Sequence, residues 1–198
     1  MEIVSRIVTA AIAAFILAVR AFYARRARPS ADAVRVREPL ALALQVLSLV
    51  LGSVSLALFI FFPSALGAFA VPLPPLMRAA GAAAGAWSAA LLARSFAALG
   101  PAFSPYLQTR DGQLLVTTGP YRFIRHPMYA SYLLQILGWA LLSANYGVAL
   151  AWTPMAAGLL IRMCIEEKMM AGKFKKGYEE YMRRTGRILP RLPRRERL

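Results

Sequence analysis

Cysteine and histidine each occur once in this 198-residue chain, and acidic residues number only nine. A lone Cys164 excludes an intramolecular disulfide and a cysteine metal cluster, so no metal centre is expected. Polar stretches long enough for a separate soluble domain are also missing. The chain is instead 59% hydrophobic, with a mean hydropathy of +0.52, more than a soluble domain of this length normally carries. These values predict an all-α polytopic membrane bundle, with room for four to six spans of about 20 residues each. Lysine and arginine total 24, for a net charge of +15. In so apolar a chain such cations set topology and meet anionic headgroups, so we expect a membrane setting and no nucleic-acid partner.

Five spans can be read, followed by a basic tail. The first covers about Ile3 to Tyr23, with Arg6 and Arg20 near its ends, where long side chains can snorkel. It lacks a small-residue cleavage pattern and is expected to be retained. Pro39 to Phe62 is an uninterrupted uncharged run, and Pro63 to Met77 has four prolines and no charge. The third span, about Pro75 to Leu99, carries Gly81 and Gly85 among alanines, a pattern that permits close helix contact. A fourth runs from Pro127 to near Ser143. After a tight reversal at Asn145-Tyr146-Gly147, a fifth covers about Val148 to Ile165. The polar loop between the third and fourth spans contains Asp111-Gly112 followed by Leu114-Leu115-Val116, a turn and a short extended piece, and its Ser104 to Thr109 stretch is a candidate rim for a pocket. Trp87, Trp139 and Trp152 read as bundle or interface residues. We treat residues 1–198 as one integral membrane domain, with three spans in 1–99 and a loop, hairpin and tail in 100–198.

Lysine and arginine number five in residues 25–38 (Arg25, Arg26, Arg28, Arg35 and Arg37), three in 100–126 and eleven in 166–198, against none in 63–74 and 143–147. The positive-inside rule then predicts an outside N-terminus, five crossings and a cytoplasmic tail. Within that tail Met169, Met170, Phe174, Tyr178 and Tyr181 recur on one helical face, predicting a C-terminal cytoplasmic amphipathic helix. Packing alone accounts for such a stripe, so its methionines and tyrosines are left out of the candidate site.

The sole histidine, His126, stands between a cationic loop and an apolar run. Followed by Pro127, it reads as the cap of a helix entering the bilayer. On residue type alone, Arg125 and Tyr129 suit an interfacial belt. Arg162 and Glu166 are one helical turn apart and can form an intrahelical ion pair. Ionisable residues beside an apolar span are nevertheless costly, which favours a functional role.

Taken in order, Leu-Val-Thr-Thr-Gly-Pro-Tyr (residues 115–121), Arg125-His126-Pro127-Met128-Tyr129, an apolar hairpin, Arg162, Glu166-Glu167, and Phe174 with Tyr178 and Tyr181 resemble the isoprenylcysteine carboxyl methyltransferases and their phospholipid methyltransferase relatives. The resemblance covers about Arg94 to Pro190. It implies a cytoplasm-facing pocket for S-adenosyl-L-methionine, with a lipid or prenylated substrate entering from the bilayer. It places cofactor contacts on Gln113, Leu114, Leu115 and Val116 (read as a strand), on Tyr121, His126, Pro127 and Tyr129, and on Glu166. It places Arg162 near the substrate; the chemistry itself, with Arg162, Glu166 and Glu167 as the candidate catalytic residues, requires no metal. One departure stands out: the family's Phe-Gly-Glu-Glu-Tyr is here Phe174-Lys175-Lys176-Gly177-Tyr178, which keeps the aromatic spacing but loses the glycine and both acids.

The implied chemistry is consistent with the residue types. Methyl transfer from a sulfonium is an in-line displacement in which placing donor and acceptor in near-attack geometry is worth up to about 7–11 kcal/mol. Glu166 can accept from the donor's amine or a ribose hydroxyl, Arg125 and His126 can meet its carboxylate, and Tyr121 or Tyr129 can line its ring or sulfonium. A carboxylate acceptor is already anionic and needs orientation by Arg162, whereas an amine needs a base, Glu166 or Glu167. The preferred expectation is methylation of an isoprenylcysteine-type carboxylate. Three alternatives stand beside it: a phospholipid amine N-methyltransferase, an NADPH-dependent sterol-type reductase with a similar His-Pro-x-Tyr region, and a non-catalytic lipid-binding bundle.

Overall fold

The computed structural model describes residues 2–26 and 33–191, so Arg28 and residues 192–198 of the basic segments lie outside the described residues. Its helices are α1 (Glu2–Arg26), α2 (Pro39–Phe61), α3 (Pro75–Leu99), α4 (Pro127–Ser143), α5 (Tyr146–Ala151), α6 (Thr153–Phe174) and α7 (Lys176–Arg184). Two short strands, β1 (Val34–Arg35) and β2 (Gln108–Thr109), pair antiparallel. Four segments are long and apolar enough to cross a membrane: α1, α2, α3 with the turn after it, and α5 continuous with α6. At 17 residues α4 spans about 26 Å, slightly short of a bilayer core. Most of the large apolar side chains of α1 and α2, such as Ile3, Val4, Ile7, Leu42 and Val50, face outward, as lipid contact requires.

Proline opens α2 and α3 at their first turn, where its missing N–H costs nothing. The α3–α4 pair has the closest approach in the bundle. A Cβ added at Gly138 would come within 2.9 Å of the Gly85 nitrogen and 3.1 Å of the Gly81 carbonyl oxygen. Small residues thus let the two backbones touch, as the sequence pattern predicts. Gln135 reinforces the seam, donating to Ser88 and accepting from the Trp139 indole N–H at 3.0 Å. Trp139 and Trp152 are buried in the main apolar cluster with Leu56, Phe59, Leu66 and Val148, whereas Trp87 is exposed on the lipid-facing surface.

The bundle has two dissimilar ends. At one, the uncharged α2–α3 connector is pinned to the α4–α5 reversal: Val71 N–H donates to Ala144 O at 2.8 Å and the Asn145 side chain to Leu66 O at 3.0 Å. At the other, β1 and β2 tie the α1–α2 and α3–α4 connectors together, and the chain after α7 folds back beside the start of α4. That end collects the cationic segments.

Several expectations are corrected. The fifth span has a one-residue turn at Trp152, where Pro154 cannot continue the hydrogen-bond ladder, and carries on as α6, which runs nine residues past Ile165. Met169, Met170 and Phe174 therefore belong to α6, and the separate amphipathic helix is only α7. Gln113–Val116 is not a strand, because the strand partner in the α1–α2 connector is taken by Gln108–Thr109. Arg6 and Arg20 do not snorkel outward: Arg6 donates to Ile60 O and Arg20 to the Tyr132 hydroxyl.

Candidate active site

A cavity of about 470 Å³ opens at the cationic end. The start of α4 and the last turns of α6 supply its polar wall. His126 occupies the cap position of α4 but makes no side-chain cap bond. Its ring, 4% exposed, stacks parallel on Tyr129 with centroids 5.3 Å apart. Its Nε2 lies 3.3 Å from Glu167 Oε1 and its Nδ1 4.0 Å from Glu166 Oε2.

A chain of hydrogen bonds crosses this wall. Arg162 Nε donates to the Tyr129 hydroxyl at 3.1 Å, and that hydroxyl donates to Glu166. The rest of the Arg162 guanidinium pairs with Glu38 at 2.7 Å and donates to Pro105 O at 2.9 Å. Arg162 and Glu166 therefore form no direct ion pair. They meet through Tyr129, because Glu38, at the cap of α2, takes the guanidinium first.

Glu167 sits behind the wall. It receives Arg125 at 2.9 Å and Arg187 at 2.7 Å beside His126, in a cluster that joins α4, α6 and the segment after α7. Arg125 also donates to Thr185 O at 2.7 Å. Backbone bonds complete the join: Arg125 N–H to Gly186 O at 2.9 Å and His126 N–H to Arg187 O at 3.0 Å. Tyr181 closes the floor by donating to Tyr121 O at 2.7 Å.

The expected residues thus divide into two groups. Gln113, Leu114, Leu115, Val116, Tyr121, Arg125, His126, Tyr129, Arg162 and Glu166 all line the cavity, whereas Pro127 and Glu167 do not. Pro127 is buried as the first residue of α4. The Ser104–Gln108 stretch forms part of the rim. Residues that sequence reasoning left out also line it: Met169, Met170, Tyr178 and Tyr181, set aside as packing, together with Arg20, Gln45 and Tyr132. The signal for the first four was the period of the tail's apolar stripe, which faces the cavity instead of lipid.

Burial tunes the ionisable groups around the cavity. It raises the Tyr121 hydroxyl well above its ordinary range, with nearby Glu166 adding to the effect, and pushes Tyr181 up to about 12. Burial also raises Glu38, with Arg162 opposing it. Tyr121 and Tyr181 therefore stay protonated past the pH at which a free tyrosine ionises.

The fold and site define a multi-pass helical membrane protein with a partly polar cavity at one end, walled by a Tyr–Glu–Arg array. The phospholipid methyltransferase family profile matches residues 76–177, just over half of the chain, and the chain belongs to that family. It is 37% identical over 89 residues to the cobalt-zinc-cadmium resistance protein CzcN of Cupriavidus metallidurans, covering 44% of this chain and 40% of that protein. It is 28% identical over 97 residues to the protein-S-isoprenylcysteine O-methyltransferase of Schizosaccharomyces pombe, covering 48% and 41%. The matched region thus spans about two fifths of the length of these relatives. Among solved structures, the eukaryotic intramembrane Ras methyltransferase ICMT shares the fold, with a TM-score of 0.52 at 20% identity over 76% of this chain and 50% of the other.

Proposed function

We propose that the protein transfers a methyl group from S-adenosyl-L-methionine to a membrane-resident amphiphile, and that the acceptor is an isoprenylcysteine-type carboxylate. The observation that carries this reading is the Arg162–Tyr129–Glu166 array on the wall of a cavity whose lining also includes Leu17, Ala21 and Ala24 of α1. Family membership and the naming of one curated relative support it.

The residues fit the donor. Its amine or ribose hydroxyls need an acceptor, which Glu166 supplies. Its adenine needs an apolar or aromatic slot, which Tyr121, Tyr178, Phe174, Met169 and Met170 supply. Backbone groups of residues 113–116 at the rim offer further hydrogen bonds. When bound, the donor supplies an electrophilic methyl on a sulfonium. The chain's part is placement: Tyr129, held between Arg162 and Glu166, fixes the wall, and the cavity keeps bulk water from the reacting atoms. Glu167 is engaged by two guanidiniums behind the wall, so its role in this reading is to hold Arg125 and His126 in place.

In the same reading the N-terminus is outside and the cavity end cytoplasmic, because the cationic segments gather at that end. Residues 1–198 act as one domain. A phospholipid amine is the second reading, favoured by the family profile's description, and Glu166 would then take the proton. Incubating purified protein with methyl-labelled donor and a panel of prenylated thiols and phospholipids, followed by mass spectrometry, separates the two. A labelled methyl ester on a prenylcysteine is the expected product. A labelled amine would replace the acceptor assignment, and no label on any acceptor would refute the proposal.

A further inference from the structure

The cavity has a second polar group that the methyl-donor site does not use. Arg20, exposed on the span α1, donates from its guanidinium to the Tyr132 hydroxyl and lies 5.4 Å from the centre of that ring. Arg20 and Tyr132 both line the cavity, on the side formed by Leu17, Ala21 and Ala24 of α1. The other two cavity guanidiniums are neutralised, Arg125 by Glu167 at 2.9 Å and Arg162 by Glu38 at 2.7 Å. Among the described residues Arg20 forms no salt bridge. Arg20 is exposed near the cationic end of α1, so the donors that Tyr132 does not take are open to a ligand.

An independent observation points the same way. The Gln45 side-chain nitrogen, on α2, is buried with no hydrogen-bond partner, and Gln45 also lines the cavity. An orphaned buried donor costs about 1–3 kcal/mol, a cost that a ligand oxygen would remove. Both groups are donors. Both also precede residues 76–177, the part matched to the family, so they belong to the half of the chain that carries no family signature.

We infer that Arg20 and Gln45 form the head-group site for the methyl acceptor, and that the site selects an acceptor bearing a carboxylate or phosphate over a neutral one. This rests on the proposed methyl transfer and adds the recognition of its second substrate. Tyr132 holds the guanidinium toward the cavity. The remaining Arg20 donors and the Gln45 amide then meet the oxygens of the anion, while its lipid tail leaves past the apolar faces of α1 and α2.

The test is a binding titration that needs no turnover. N-acetyl-S-farnesylcysteine, its neutral carboxamide and dioleoyl phosphatidic acid are titrated into detergent-solubilised wild type, Arg20→Gln and Arg20→Lys, and S-adenosylhomocysteine is titrated into the same preparations. Wild type should bind the carboxylate about tenfold or more tighter than the carboxamide, the ratio expected for a hydrogen bond to a charged group. Arg20→Gln should bring the two within roughly threefold, Arg20→Lys should keep a preference, and S-adenosylhomocysteine affinity should not change. Tight phosphatidic acid binding with the same dependence on Arg20 would assign the anion to a phospholipid and support the site. Equal binding of carboxylate and carboxamide by wild type overturns the inference even if Arg20→Gln does not fold, as does a preference that survives in folded Arg20→Gln. Wild type that discriminates between the two but binds no S-adenosylhomocysteine supports this site and refutes the donor reading alone.

Discussion

Lys175 joins α6 to α7 with φ at +46° and ψ at −123°, a conformation that L side chains rarely adopt and glycine adopts readily. The strain is set by the two helices on either side. Phe174 and Tyr178 must both reach the cavity, and the chain has one residue in which to redirect the helix axis after Ala171 O accepts the Lys175 N–H. Non-glycine residues held in such regions cost about 1–3 kcal/mol. Replacing Lys175 with glycine removes that strain but adds chain entropy to the unfolded state, worth about 0.5–1 kcal/mol. The net expectation for Lys175→Gly is a gain of about 1 kcal/mol, which for a chain of this size raises Tm by roughly 2–4 °C. Thermal unfolding of the detergent-solubilised protein, followed by tryptophan fluorescence, measures it. Lys175→Ala, which loses the charge but keeps the strained Cβ, should leave Tm near that of wild type. A Lys175→Gly variant with unchanged or lower Tm, or a Lys175→Ala variant with an equal gain, would refute the reasoning.

Other positions make separate predictions. A Cβ at Gly186 would lie 1.6 Å from Leu189 O, so Gly186→Ala must displace the segment that holds Arg125 and His126; about 1–3 kcal/mol of stability should be lost, with weaker S-adenosylhomocysteine binding in titration. At the α3–α4 seam, Gly138→Leu should lower the unfolding temperature by forcing apart backbones that approach within 3.1 Å of the added carbon, at a cost of roughly 1–3 kcal/mol or more. Tyr181 titrates at about 12 in the fold against an ordinary 10.0. The folded state therefore favours its neutral form, and that contribution is complete below pH 10 and is lost as pH rises toward 12. The loss of Tm across that window should be smaller in Tyr181→Phe than in wild type.

Much of this arrangement was legible in the sequence because membrane physics leaves few options. Uncharged runs bounded by prolines mark the starts of α2 and α3, and Gly81 and Gly85 mark α3 as a helix that permits close contact, though not with which partner. The end of α6 is not legible in the sequence, because hydropathy falls at Glu166 while the helix continues to Phe174. The acids stay helical by turning onto Tyr129, Arg125 and His126, partners that no linear reading supplies. The tail stripe reads as packing for a related reason: an apolar face looks the same whether lipid, protein or a cavity covers it. Arg20 and Gln45 were invisible as site residues because their neighbours come from α4 and from the cavity itself, far away in the chain. Glu38 likewise became meaningful only when the fold brought it to Arg162.

The central claim is that the Glu166 side of the cavity holds the methyl donor. Calorimetric titration of S-adenosylhomocysteine into wild type, Glu166→Gln and, as a surface control, Glu179→Gln tests it most directly. Saturable binding by wild type and the control is expected, with an affinity loss of about ten- to a hundredfold in Glu166→Gln, the magnitude of one hydrogen bond to a charged group. Folded wild type that binds nothing, or Glu166→Gln that binds as tightly as wild type, would contradict the account.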